Sequence, residues 1–157
     1  MPGNRAPGTS AFPKVGRDAR PKVRLGVSAD LPAVAAIQQA CPEAARWPVE
    51  DYLDQEFLVA IVGNSIAGFL VCRTVAPGEK EILNLAVAHG FRRHGVARAL
   101  LNRALEAFRG AVFLEVRESN RTAQEFYNAM HFEAVSRRPN YYDSPPDAAI
   151  VMKFHSC

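Results

Sequence analysis

The chain lacks the features that mark several large classes of protein. Its three cysteines, Cys41, Cys72 and Cys157, are odd in number, far apart and never in a C-x-x-C arrangement. That pattern excludes a disulfide framework and a zinc ribbon, and fits a reducing cytoplasm. No apolar run approaches the roughly 18 residues that cross a bilayer, and no signal-like hydrophobic stretch opens the chain. A soluble, cytoplasmic protein without membrane contact is expected. The four histidines, His89, His94, His131 and His155, stand at no ligand spacing such as H-x-x-x-H, so none is assigned to a metal. There is no internal repeat.

What is present is enough for one folded unit. At 157 residues, 48% hydrophobic and 22% charged, the chain can bury the core of one domain. Its formal charge of +3 hides an asymmetry: residues 1–24 hold six basic groups and one acid, against 13 basic and 15 acidic groups afterwards. Residues 1–21 are punctuated by Pro2, Gly3, Pro7, Gly8, Pro13, Gly16 and Pro21. That composition cannot offset the entropy of ordering, so a disordered basic tail over 1–21 and a folded domain over 22–157 are expected. The tail's charge suits a weak contact with RNA or the ribosome. It lacks interleaved aromatics, however, and a merely solvated tail is the plainer reading.

From Lys22 the pattern becomes regular. Val23 to Val27 alternates as a strand. Ser28 and Asp30 then offer caps to a helix with Leu31, Val34 and Ile37 at helical spacing and Pro32 in its first turn. A short helix over Val49 to Asp54 precedes two apolar runs, Phe57 to Val62 and Ile66 to Cys72, which the Gly63-Asn64-Ser65 turn joins as a hairpin. Glu81 to Ala88 reads as a strand. The next helix carries Val96, Leu100, Ala104 and Phe108 on one stripe. Ala111 to Val116 is a strand, Asn120 to Met130 a helix and Ala149 to Phe154 a closing strand, with one more strand near Phe132 to Ser136. Pro145-Pro146 marks a turn in the last connection. The alternation predicts an α/β (α+β) domain.

The sharpest local signal is the strand Leu83-Asn84-Leu85-Ala86-Val87, a short loop, then Arg92-Arg93-His94-Gly95-Val96-Ala97 opening a helix. A basic, glycine-containing turn at a helix N-terminus can hold an anion, because free backbone N–H groups and the helix dipole point at the ligand. An ordinary helix start with solvated arginines is the alternative reading of the same residues. Glu115 also stands out, since a carboxylate inside Val112-Phe113-Leu114-Glu115-Val116 is costly to bury unpaired. A salt bridge to Arg117 on the same strand face, or exposure at the strand end, would account for it. Tyr127 lies on the apolar stripe of its helix and reads first as a core tyrosine. It stands seven residues, nearly two turns, after Asn120, so the two share a face about 10 Å apart.

Arg92, Gly95 and Ala97, with the strand before them, match the signature of the GNAT N-acetyltransferase superfamily: Arg or Gln, two residues, Gly, one residue, then Gly or Ala. The resemblance covers residues 22–155. It implies a central mixed, mostly antiparallel sheet flanked by helices, with strands splayed at an acetyl-CoA slot. Within it, the backbone amides from Arg93 through His94, Gly95, Val96 and Ala97 to Arg98 would cradle the pyrophosphate, His94 giving only its amide. Leu85, Ala86 and Val87 would pair with the pantetheine arm. More narrowly, Leu114 to Asn120, Phe126-Tyr127, Arg137-Arg138-Pro139-Asn140-Tyr141-Tyr142 and Ile150-Val151-Met152 resemble the RimI-like ribosomal-protein-alanine N-acetyltransferases. That resemblance makes Glu115 the general base and Tyr127 the donor of a proton to the departing thiolate, with Asn120 on the cofactor. Three departures stand out: Ala97 where many members have Gly, a permitted alternative, a short connection between Phe108 and Ala111, and a Pro-rich tail outside the family core.

The resemblance implies transfer of acetyl from acetyl-CoA to an α-amino group, the N-terminal alanine of a small-subunit ribosomal protein, by a monomer or weak dimer. An α-amine has a pKa of about 8 and a lysine about 10.4, roughly 3 kcal/mol apart in deprotonation at neutral pH. One carboxylate is adequate for the former and strained for the latter. Acetylation of lysine or a small amine is the alternative activity, and a non-catalytic acetyl-CoA-binding module the alternative outside catalysis.

Overall fold

The computed structural model describes residues 20–156. The expected tail lies outside the described residues up to residue 19, as does its contact with RNA. Strand β1 (Lys22–Leu25) leads through a 3-10 turn to helix α1 (Leu31–Ala40), and a 3-10 helix (Val49–Asp54) leads into β2 (Glu56–Val62). There follow β3 (Ser65–Ala76), β4 (Glu79–Val87), α2 (Val96–Leu105), β5 (Gly110–Arg117), α3 (Arg121–Ala129), β6 (Glu133–Asp143) and β7 (Pro146–Ser156). The strands form one seven-stranded sheet in the order β1-β2-β3-β4-β5-β7-β6. Every neighbouring pair is antiparallel except β4 and β5, so the sheet is mixed and mostly antiparallel, with helices on both faces.

The two faces bury different partners. On one, α2 presents Val96, Leu100, Leu101 and Ala104, and α3 presents Tyr127, to Leu58, Leu70, Val112, Leu114 and Met152 of the strands. Full burial of a leucine such as Leu100 or Leu101 contributes about 1.5–3 kcal/mol. On the other face, Val34 and Ile37 of α1 pack with Tyr52, Phe57, Val59, Phe69 and Val71. Gly68 lets α2 settle onto β3 and β4: a Cβ there would meet Ala86 O at 2.8 Å and Val96 Cγ1 at 2.9 Å. Helix α2 therefore begins close against the end of β4, which sets the place of the loop before it.

Several boundaries differ from the sequence reading. Strand β3 continues through the exposed Arg73, Thr74 and Val75 and turns at Gly78 (φ +73°), so β4 starts at Glu79. Exposure on both faces removed the alternation that would have marked this extension. Helix α2 ends at Leu105, and Ala107 at φ +60° turns the chain so that Phe108 packs on the core from outside the helix. The Val49–Asp54 helix is 3-10. Strand β6 runs for 11 residues, to Asp143, and is exposed along almost its whole length. It is an edge strand held by pairing with β7, and its charged sequence carries no apolar period. Asp30 does not cap α1 with its side chain. Its carboxylate accepts from Val27 N at 2.8 Å and from both terminal nitrogens of Arg24 at 2.7 and 2.8 Å. Those bonds hold its pKa below the usual carboxylate value against the effect of burial.

Candidate active site

The site begins where two parallel strands part. Strands β4 and β5 pair only from Glu79 opposite Ala111 to Ile82 opposite Leu114. Beyond that point β4 continues with β3 and β5 continues with β7. A bulge accompanies the parting: Val71 faces Asn84 and Cys72 faces Ile82, which leaves Leu83 as the extra residue. Such a bulge bends its strand and increases its twist. Ala88 N donates to Ala67 O at 2.8 Å, which puts Ala86 and Phe69 in the same hydrogen-bonded phase of the ladder. By the alternation of antiparallel pairs, the N–H and C=O groups of Leu85 and Val87 then turn to the edge that β5 has left. Val87 O there accepts from Cys41 Sγ at 3.5 Å.

The buried amide of Asn84 anchors the opposite side of this strand. Its Nδ2, with two hydrogens to share, lies 3.0 Å from Ala45 O, 3.1 Å from Tyr52 Oη and 3.2 Å from Gln38 Oε1, while the Tyr52 hydroxyl donates to Gln38 Oε1. This network ties α1 and the segment after it to the splayed strand. Asn84, inside an apolar run, was the visible signal for it.

The loop before α2 is shaped for an anion. Arg93 (φ +66°) and Gly95 (φ +75°) are both left-handed, and Gly95 is the N-cap of α2 without a side-chain cap. Successive N–H groups in such a turn converge, and the first-turn amides of Val96, Ala97 and Arg98 stand at the positive end of the helix dipole. A Cβ on Gly95 would meet nothing within 4 Å. Arg92, Arg93 and His94 are exposed. The guanidinium of Arg92 reaches back to within 4.0 Å of Cys41 Sγ, and His89 Nε2 lies 2.9 Å from Ala40 O, so the end of α1 touches this loop. Asn120 is the N-cap of α3: its Oδ1 accepts from Ala123 N at 3.1 Å, which leaves its Nδ2 for a ligand.

Glu115 and Tyr127 reach the site from different sides. Leu114 and Val116 point into the core beneath α2 and α3, so the alternation of β5 turns Glu115 to the other face. Its side chain keeps 18% exposure, and Arg138 Nη1 lies 3.2 Å from Oε1. The Glu115 carboxylate beside the Tyr141 hydroxyl is the main reason the Tyr141 pKa is pushed up to about 12. The expected partner, Arg117, is engaged elsewhere: its guanidinium donates to Pro145 O at 2.9 Å and stacks 4.1 Å from the Tyr142 ring. The carbonyls of the β6–β7 turn draw Arg117 along the strand and away from Glu115. Arg138, Tyr141 and Tyr142 belong to the segment that marked the narrower resemblance, but sequence reasoning gave them no role.

Tyr127 is 8% exposed, with its ring 5.5 Å from Phe132 and 5.2 Å from Phe126. Burial raises its pKa, so it is a protonated hydroxyl at neutral pH. None of the hydrogen bonds among the described residues uses that hydroxyl.

A surface cavity of about 450 Å³ lies farther along, beside the start of α3, with Glu118, Ser119, Arg121, Arg137, Asn140 and Asp147 among its walls. None of the residues nominated from sequence lines it.

A parallel pair thus opens past a bulge and is followed by an amide-lined turn and a helix. The acetyltransferase (GNAT) family matches residues 30–132. The chain belongs to this family. Its members use acetyl-CoA as the acetyl donor. The chain is 31% identical over 135 residues to the [ribosomal protein bS18]-alanine N-acetyltransferase of Escherichia coli (strain K12), covering 78% of this chain and 89% of that one. A stretch of 78 residues is 40% identical to the uncharacterised protein ML0378 of Mycobacterium leprae, of whose length it spans 22%. Among solved structures, Ard1 from Thermoplasma volcanium aligns with a TM-score of 0.80 at 31% identity, over 87% of this chain and 98% of that one. No helix among the described residues is long and apolar enough to cross a membrane.

Proposed function

We propose that this GNAT-family chain is an acetyl-CoA-dependent N-α-acetyltransferase that modifies the N-terminal alanine of a small-subunit ribosomal protein. The observation that carries the reading is Glu115, a part-exposed carboxylate on the open face of β5, one residue past the last β4–β5 pair. A carboxylate there can receive a cationic amine arriving from one side of the slot while Tyr127 stands on the helix side. The E. coli relative, named for modification of an alanine N-terminus, supports the choice of acceptor.

In this reading, the amides from Arg93 to Arg98 hold the diphosphate of the acetyl donor, and the freed backbone groups of Leu85 and Val87, with Ala86 between them, run beside its arm. Asn120 Nδ2 supplies a further contact. Acetyl-CoA supplies the activated acyl group. Glu115 takes the proton of the attacking amine, directly or through a water. A backbone N–H near Val87 holds the charge developing on the acyl oxygen, and Tyr127 gives its proton to the departing sulfur. The C–N bond forms and the C–S bond breaks. Of the two protons that an arriving ammonium loses in becoming an amide, Glu115 takes one before attack and passes it to solvent. The other leaves the nitrogen after attack and restores the Tyr127 phenolate through solvent, and CoA departs as the thiol.

The test is a panel of acceptors: peptides beginning with Ala, Ser or Met, lysine peptides with blocked N-termini, and free polyamines. Preferential turnover of the alanine-initiated ribosomal peptide is expected. Preference for lysine or a polyamine overturns the acceptor, and acetyl-CoA binding without CoA release on any amine overturns catalysis.

A further inference from the structure

We propose that Arg138 is a resident counter-ion of the acceptor site: in the empty enzyme its guanidinium occupies the place on Glu115 that the acceptor ammonium takes, and it gives way on binding. This rests on the acceptor reading of Glu115 given above.

The first argument is how loosely the pair is made. The nearest approach of a guanidinium nitrogen to a carboxylate oxygen is 3.2 Å. Nearby Arg137 reaches Glu118 at 2.6 Å, and Arg24 holds Asp30 through two bonds of 2.7 and 2.8 Å. Charge-assisted bonds normally fall near 2.7–2.9 Å, so Arg138 is a neighbour of Glu115 rather than a clamp on it.

The second is asymmetry of exposure. The Arg138 side chain is 58% exposed and that of Glu115 18%. The carboxylate stays in place and the cation has room to leave. It also has a second seat, because its guanidinium carbon already lies 5.8 Å from the centre of the Tyr141 ring, within reach of a cation–π contact. Its backbone can stay where it is, paired with Ala149 of β7.

The third is charge balance. Stripping the partner from a part-buried carboxylate is costly. Exchange of one monocation for another avoids that state at both ends of the cycle. A neutral amide cannot hold Glu115 against Arg138, so the same residue that admits a cationic amine displaces the acetylated product. Arg138 thereby favours free N-termini and limits product inhibition.

The experiment compares wild type with Arg138→Met and Arg138→Lys in kcat, in acceptor KM and in inhibition by the N-acetylated peptide. Arg138→Met removes an exposed competitor, so acceptor KM should fall roughly two- to fivefold. Inhibition by the acetylated peptide should strengthen by a similar factor, with kcat within about twofold of wild type. Arg138→Lys, which keeps the charge, should restore wild-type values. A rise in KM shows that Arg138 holds the acceptor, and an unchanged KM shows an idle pair; either overturns the proposal. Should Arg138→Met fold poorly, the side-chain ¹⁵N signal of Arg138 in wild type gives the second reading. It should move on addition of an alanine-initiated peptide and not of its acetylated form, and an unmoved signal overturns the exchange. If wild type acetylates no α-amine, the acceptor reading fails, and the same comparisons are made with the amine it does acetylate.

Discussion

Replacing Gly95 with alanine isolates the backbone of the anion turn from its charge. Gly95 sits at φ +75°, and an added Cβ would meet no atom within 4 Å, so the substitution introduces no clash within the protein. What it introduces is left-handed strain, which for a residue bearing a Cβ costs roughly 1–2 kcal/mol. If the loop relaxes to release that strain, the cradle must be rebuilt before the donor binds, and affinity falls by about 5- to 30-fold at 1.4 kcal/mol per tenfold. If the loop holds, the same amount is lost from folding stability instead. Calorimetric titration with acetyl-CoA, paired with denaturant unfolding, measures both. Arg93 is the control. It already carries a Cβ at φ +66° and its side chain is exposed, so Arg93→Ala should cost less than Gly95→Ala and Arg93→Gly should relieve strain. A Gly95→Ala protein with full affinity and full stability, or a larger loss from Arg93→Ala, would refute the amide cradle.

Two further outcomes follow from single groups. Tyr127→Phe preserves the ring contacts with Phe126 and Phe132 and removes only the proton donor. Its kcat should fall by about 100- to 10,000-fold, with acetyl-CoA affinity and thermal stability near wild type and no recovery at high pH; wild-type turnover would leave it a core tyrosine. Asp30 has its folded pKa lowered, chiefly by the hydrogen bond from Arg24, so it stabilises the fold above the unfolded carboxylate value near 3.9 and loses that effect as pH falls through the lower folded value. The stability gap between wild type and Asp30→Asn, measured by denaturant unfolding, should be full at pH 7 and shrink below about pH 4; a gap independent of pH would refute the assignment.

What could be read from sequence was whatever left a periodic or conformational trace. The hairpin around Gly63-Asn64 and the apolar stripe of α2 as far as Ala104 are local, and both stand in the structure, while Phe108, read as the end of that stripe, packs from beyond the helix. Edge strand β6 was underestimated because an exposed strand needs no alternation, and its length comes from pairing with β7, a partner that cannot be seen in its own residues. The parting of β4 from β5 depends on a one-residue bulge at Leu83, which changes nothing in the apolar run around it. Glu115 was conspicuous as a charge within an apolar strand. Its partner was misread because sequence distance favoured Arg117, whereas the β5–β7–β6 ladder brings Arg138 across from 23 positions away. The network of Asn84, Tyr52 and Gln38 escaped notice for the same reason: only Asn84 stands out in its own run, and three elements must fold before its partners meet.

The most direct test is the dependence of kcat/KM on pH for wild type and Glu115→Gln, with an alanine-initiated ribosomal peptide as acceptor and acetyl-CoA affinity measured separately. Glu115→Gln keeps the shape of the side chain and removes the base. At neutral pH its rate should fall by about 100- to 10,000-fold, and should partly recover as the pH rises past about 8 and the α-amine loses its proton in solution. Near-normal activity of Glu115→Gln at neutral pH would contradict the account and leave Glu115 as the structural partner of Arg138 and Tyr141.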